Sequence, residues 1–136
     1  MKTGQIGKVP PEHVRTKRAY EPAAPGDGVR ILIDRLWPRG ITKEDLVIDQ
    51  WNKELAPSTA LRQWFGHDPA LWDEFARRYA AELQSHAEPL EALRALARQG
   101  TVTLVYGAHD AVHNNAAALR AVLLALPEKP PSVASA

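Results

Sequence analysis

The stretch Val29-Arg30-Ile31-Leu32-Ile33-Asp34 limits the possible folds more than any other in the chain. Its Ile-Leu-Ile centre does not alternate with polar residues, so a strand here is buried on both faces. That is the pattern of a parallel sheet covered by helices. Helical periodicity elsewhere supplies the covers. Trp72, Phe75, Ala76, Tyr79, Ala80 and Leu83 recur at spacings of three and four, and Leu90, Leu93, Leu96 and Ala97 repeat the pattern up to Gly100. A last apolar stripe, Leu119, Val122, Leu123 and Leu126, is opened by Asn114 or Asn115 and stopped by Pro127. Thr101–Tyr106 reads as a strand between the last two helices. Strands separated by helices predict an α/β fold: a single domain with a small, mostly parallel sheet and helices packed on it.

The remaining elements are shorter. Val14–Tyr20 is expected as a strand, followed by a loop marked by Pro22, Pro25, Gly26 and Gly28. Thr42-Lys43-Glu44-Asp45 has the spacing of a capping box and predicts a short helical turn. Leu46–Trp51 is expected as a third strand. Ser58 is placed to cap a helix with Leu61, Trp64 and Phe65 on its apolar side and Gly66 as its stop. Asp68-Pro69 then restarts a helix at once. Trp51, Trp64 and Trp72 fall at apolar positions and are expected in the core, whereas Trp37 stands in a loop between Arg35 and Arg39. Residues 1–12 and the Pro/Ser/Ala-rich residues 127–136 have little to bury and are expected to be disordered, leaving 13–126 as the domain.

Composition excludes several functional classes. The 136 residues include no cysteine, so disulfides, thiolate catalysis and Cys-ligated metals are ruled out. A formal net charge of +1 does not fit a strongly basic nucleic-acid binder, although a local patch can hide in a neutral total. No apolar run reaches the roughly 18–20 residues of a membrane span, and the first residues lead into no signal-peptide core. The expectation is a cytoplasmic protein without a membrane association and without a cofactor. Phosphate-binding, dinucleotide, hydrolase-elbow and HExxH motifs do not occur.

In open α/β sheets ligands bind beyond the carboxyl ends of the strands. That rule selects residues 34–40, 52–58 and 107–115. The first stretch offers Asp34, Arg35, Trp37 and Arg39, the second Lys53, Glu54 and Ser58, and the third His109, Asp110, His113 and Asn114. Arginines at strand ends suit bidentate capture of phosphate or carboxylate, and backbone N–H groups at a helix start add to the attraction for an anion. Glu54, Asp110 and His113 are the candidate acid–base groups, since an imidazole near its ordinary pKa suits proton transfer. Asp110 and Asn114 also fit a purely capping role. His109 and His113 lie four apart, but the spacing straddles a loop–helix junction and no metal is assigned to it. His67, between Gly66 and Asp68, is either a turn residue or a ligand contact.

DRLWPRGI at 34–41, Trp51 followed by KELAPS at 53–58, WFGHDP at 64–69 and YGAHDAVHNNA at 106–116 together resemble the YeaO-like bacterial proteins, the domain of unknown function numbered 488. The resemblance spans roughly residues 14–126 and implies a small cytoplasmic α/β protein, with no activity attached. Its blocks coincide with the three strand-end stretches and add the Gly66-His67-Asp68 turn. It also implies a basic residue where this chain has His109, which suits an anion better than a metal.

Three functions compete at this level. In the first, Arg35, Arg39 and Lys53 hold a small anionic molecule, as a binding site or as an enzyme whose acid–base groups are Glu54, Asp110 or His113. Nucleic acid could be met by Trp37 and the basic segment Lys8, Arg15, Lys17 and Arg18, in which case binding falls with salt. Alternatively, the charged blocks could form ion-pair networks beneath a protein–protein surface.

Overall fold

A computed structural model describes residues 8–125. Its four strands, β1 (Val14–Arg18), β2 (Val29–Leu32), β3 (Gln50–Trp51) and β4 (Val102–Tyr106), form one sheet in the order β1-β4-β2-β3, and every neighbouring pair is parallel. Five α-helices accompany it: α1 (Lys43–Leu46), α2 (Thr59–Phe65), α3 (Trp72–Gln84), α4 (Ala87–Gln99) and α5 (Asn115–Leu124). The α/β architecture expected from the Ile-Leu-Ile run is therefore the observed one.

The two faces of the sheet are covered unequally. Ile31, Ile33, Val102, Leu104 and Tyr106 point into the main core with Phe75, Tyr79 and Leu83 of α3, Leu93 of α4 and Leu119 and Leu123 of α5. Leu32 and Val105 point the other way and meet Leu46 of α1, Ala19 and the half-buried Trp37 and Ile41. The second face is also polar. Arg30 and Thr103 are buried there, and Arg30 pairs with the buried Asp27 of the Pro25–Asp27 3-10 turn. A short helix and ordered loops thus do on this face what long helices do on the other.

Several boundaries differ from the sequence reading. Leu46 ends α1 rather than starting a strand; Val47 turns left-handed at φ 53°, and β3 shrinks to Gln50–Trp51. Thr42 caps α1 by accepting from the Asp45 N–H, and Ser58 caps α2 by accepting from Leu61 N–H. Asp68 caps a 3-10 turn, Pro69–Leu71, before α3 begins. Trp51 and Trp64 are not core residues: each is 37% exposed, because its indole lies on an outward surface beneath a cation, Lys53 and Arg78 respectively. Trp37 is the reverse case, half-buried with its indole N–H donated to Ile41 O at 2.7 Å. Packing also begins ahead of residue 13: Val9 is buried and Pro11–His13 forms a 3-10 turn tied to α5 through Arg120. Residues 1–7 and 126–136, with Leu126 and Pro127, lie outside the described residues. Among those described, no helix is long and apolar enough to cross a membrane.

Candidate functional site

The site follows from the unequal layers. After β2 the chain leaves toward α1 on one face, and after β4 it leaves toward α5 on the other. β2 and β4 are neighbours, so their outgoing loops diverge and open a crevice at the carboxyl edge, where this class of sheet binds ligands. The crevice is a cleft of about 630 Å³. Residues 34–39 form one wall and 107–115 the other, while Pro57, Arg62, Phe65 and His67 close the end toward α2. Two of the three expected stretches therefore converge.

Asp34 forms the floor. Its Oδ2 accepts from Gly107 N–H at 2.9 Å and its Oδ1 accepts from the Asn115 side-chain amide at 3.0 Å, so this one carboxylate joins the ends of β2 and β4. A side chain at position 107 would place its Cβ 3.1 Å from Asp34 Oδ2, which is why a glycine suits the exit of β4. Burial pushes the Asp34 carboxyl above its ordinary range, against the opposing pull of Asn115, Gly107, Arg62 and His67.

The walls carry cations. Arg35 donates to Pro57 O at 3.2 Å and to Ala56 O at 3.5 Å, so its partners at the core rim are weakly held carbonyls and not a carboxylate. Within the described residues the Arg39 and Arg62 guanidiniums and the His67 and His109 rings donate no hydrogen bond, although all four line the cleft. His67 is held at φ 58°, a conformation costing a non-glycine residue about 1–2 kcal/mol. Such strain collects at sites where a side chain must be aimed.

Asp110 and His113 form a local unit. Asp110 Oδ1 accepts from Val112 N–H and His113 N–H, both at 2.9 Å, and its Oδ2 lies 2.9 Å from His113 Nδ1. The His113 backbone and side chain and the Val112 N–H hold the Asp110 carboxyl down at about 2. The far side of the His113 ring meets Trp72 edge-on at 5.3 Å. Asn114 is the α5 cap: its Oδ1 accepts from Ala117 N–H and its Nδ2 donates to Asp110 O, so its amide is engaged.

Two carboxyls of one cleft are thus displaced in opposite directions. Carbon-13 carboxyl NMR titration is expected to find Asp34 above the ordinary aspartate value of about 3.9 and Asp110 near 2. For Asp34 the folded pKa is the raised one, so its contribution to stability is present below the unfolded pKa and disappears as pH rises through the folded value. Asp34 titrating at or below 3.9 would contradict the buried floor.

Of the 52–58 stretch only Pro57 lines the cleft; the Lys53, Glu54 and Ser58 side chains do not reach it. Lys53 lies 4.1 Å over the Trp51 ring, Glu54 is exposed on the Lys53–Leu55 3-10 turn, and Ser58 Oγ donates to Glu82 Oε2 on α3. The reason is topological: these residues follow the edge strand β3, beyond β2 and away from the diverging pair. Sequence reasoning passed over Arg62 and Tyr20, which do line the cleft. The one signal for Arg62 was its place in the last turn of α2, just ahead of Gly66-His67. Among the described residues no group of three or more His, Asp and Glu side chains is placed to hold a metal ion.

Comparison with known proteins agrees with this frame. A family model described as the inactive DUF488-N3 subclade matches residues 13–133. The chain is 43% identical over 107 residues to the uncharacterised protein YeaO of Escherichia coli K12, covering 79% of this chain and 93% of that one. It is 44% identical over 110 residues to the uncharacterised proteins Mb3100c of Mycobacterium bovis and Rv3073c of Mycobacterium tuberculosis H37Rv, covering 81% of this chain and 92% of each relative. No solved structure matches. With a family model spanning nearly the whole fold and relatives 43–44% identical over most of the chain, the chain belongs to the YeaO-like DUF488 family, matching the model described as its inactive N3 subclade.

Proposed function

We propose that this is a cytoplasmic bacterial protein that binds a small anionic, phosphate- or carboxylate-bearing molecule in the cleft between β2 and β4, as a ligand-binding relative of an enzyme. The observation that carries the reading is the state of the cleft's charges. Three guanidiniums, Arg35, Arg39 and Arg62, face two carboxylates, Asp34 and Asp110, and both carboxylates are already engaged by N–H groups of their own chain. Arg35 holds only the Pro57 and Ala56 carbonyls, Arg39 and Arg62 donate to no partner among the described residues, and an unengaged guanidinium beside an apolar wall is a ready partner for an anion. Binding rather than turnover fits the paired groups best. Asp110 is tied into the turn that starts α5, Glu54 lies outside the cleft, and the subclade carries the description inactive.

Thermal unfolding against phosphate, sulfate, carboxylates and phosphate esters tests the proposal. A bound anion at 100 times its Kd is expected to add about 2.7 kcal/mol, a rise of roughly 8–16 °C. Arg62→Ala or Arg39→Ala is expected to weaken binding by about 10- to 150-fold, the worth of a charge-assisted hydrogen bond, with little change in the ligand-free Tm. A flat panel, or full binding by an Arg39→Ala/Arg62→Ala double variant, would defeat it.

The nucleic-acid alternative draws less support. Arg15, Lys17 and Arg18 donate to Gly26 O, Asp27 and Ala108 O, and the Trp37 indole is packed and bonded internally. A salt-dependent shift with short DNA or RNA would revive it.

A further inference from the structure

The cleft is larger and less uniform than an inorganic anion requires. At about 630 Å³ it falls in the range of sites for organic ligands. Cations stand on its walls and rim, the Asp110 carboxylate on one wall is turned onto its own loop by Val112 and His113, and the Asp34 carboxylate lies on the floor. Besides joining β2 to β4, this carboxylate repels a bare anion but accepts hydrogen bonds from hydroxyls. Asp34 accepts one hydrogen bond on each oxygen from the protein, which leaves each oxygen a further lone pair. A molecule entering with its anionic end toward Arg39 and Arg62 therefore meets an acceptor at its other part.

We infer that the cleft takes a phosphate monoester of a polyol, of the ribose 5-phosphate class, with the phosphate on Arg39 and Arg62 and sugar hydroxyls donated to Asp34. This rests on the anion-binding reading above and names the chemistry of its ligand. The same group occurs free or within a nucleoside monophosphate. Tyr20 provides for the second source: it is 43% exposed, lines the cleft and is anchored through its hydroxyl on Arg39 O at 2.8 Å. Arg18 lies 4.9 Å over the ring, so one face is occupied and a planar base would stack on the other.

Isothermal titration of the wild type with inorganic phosphate, ribose 5-phosphate, AMP and 2′,3′-dideoxy-AMP tests the inference. AMP or ribose 5-phosphate is expected to bind at least tenfold more tightly than inorganic phosphate. The dideoxy nucleotide is expected to lose about 10- to 100-fold relative to AMP, because a site that accepts from hydroxyls discriminates against their absence. This comparison leaves the protein unaltered, so it holds even if Asp34→Asn fails to fold. Tighter binding of AMP than of ribose 5-phosphate, abolished by Tyr20→Ala, identifies the nucleoside source; equal binding identifies the free sugar phosphate. Esters no tighter than inorganic phosphate, or a dideoxy nucleotide equal to AMP, overturn the inference and leave the anion cleft standing. No response to any of the four removes both.

Discussion

Replacing Arg30 by alanine is expected to destabilise the protein by about 3–5 kcal/mol, the usual cost of breaking a buried ion pair from one side. Arg30 is 4% exposed on the middle of a strand that otherwise reads as apolar. Its Nη1 donates to Asp27 Oδ2, its Nε to Val47 O and its Nη2 to Leu46 O, each at 2.7 Å. The single substitution leaves a buried carboxylate with one fewer partner and strips two carbonyls at the end of α1. Lys17 still reaches Asp27 at 3.0 Å, so the carboxylate keeps one cation. Urea unfolding at pH 7 measures the loss; a change under 1 kcal/mol would mean the network adds nothing.

The same network gives the variant a pH signature. Burial raises the Asp27 carboxyl, but the Lys17 ammonium, the Ala24 N–H and Arg30 outweigh it and hold the group below its ordinary value. A depressed folded pKa contributes stability that is present above the unfolded pKa, about 3.9, and is lost as pH falls through the folded value. Wild type loses this contribution in acid, and Arg30→Ala has less of it to lose. The gap between the two is therefore expected to be wider at pH 7 than at pH 3.

Gly28→Ala is expected to cost about 3–5 kcal/mol, from backbone strain and overpacking together. Gly28 sits at φ 66°, and a Cβ there would lie 2.1 Å from the Thr101 carbonyl oxygen. That oxygen accepts from Val29 N–H at 3.0 Å, the contact with which β2 and β4 begin to pair. Relief of the clash must therefore move one of the two strands whose far ends build the cleft. Loss of anion binding is expected alongside loss of stability. Gly40→Ala is a useful contrast: φ is positive there too, at 79°, but no atom lies within 4 Å of the added Cβ, so only the conformational cost applies. Equal Tm values for the two variants would show that the close approach at Thr101 is not what position 28 demands.

The Arg30 network lies on the far side of the sheet from the main core, where the sequence was hardest to read. The Ile31-Leu32-Ile33 run announced burial on both faces, and both faces are covered. What the run did not announce is the nature of the second cover. Sequence patterns detect long amphipathic helices, because their apolar residues repeat over several turns. A four-residue helix, two ordered loops and a buried Asp27–Arg30 pair repeat nothing, and the pairing of charges 3 apart in sequence looks the same whether exposed or buried.

The tryptophans show the same limit. Trp51 and Trp64 occupy apolar positions by spacing yet lie at the surface beneath Lys53 and Arg78, while Trp37, in a loop by composition, packs inward. Period alone fixes which residues share a face of an element, not which face the neighbours cover. Edge strand β3 and short helix α2 are covered on less of their surface than longer, central elements are.

By itself, then, the sequence determined the α/β class, the caps at Thr42, Ser58 and Asp68, a last cap at Asn114 or Asn115 that the structure assigns to Asn114, and the polar strand-end stretches. All of these rest on local chemistry: a side chain satisfies a backbone group within three residues, or fails to alternate along a strand. Only the tertiary structure decided which stretches meet. The order β1-β4-β2-β3 sets β2 beside β4, sends their loops to opposite faces, joins Asp34 to Gly107 across 73 positions and leaves Lys53, Glu54 and Ser58 outside. The physical reason is that parallel neighbours are chosen by the long helical crossovers packing on the sheet, a sum over the whole core that no local window contains.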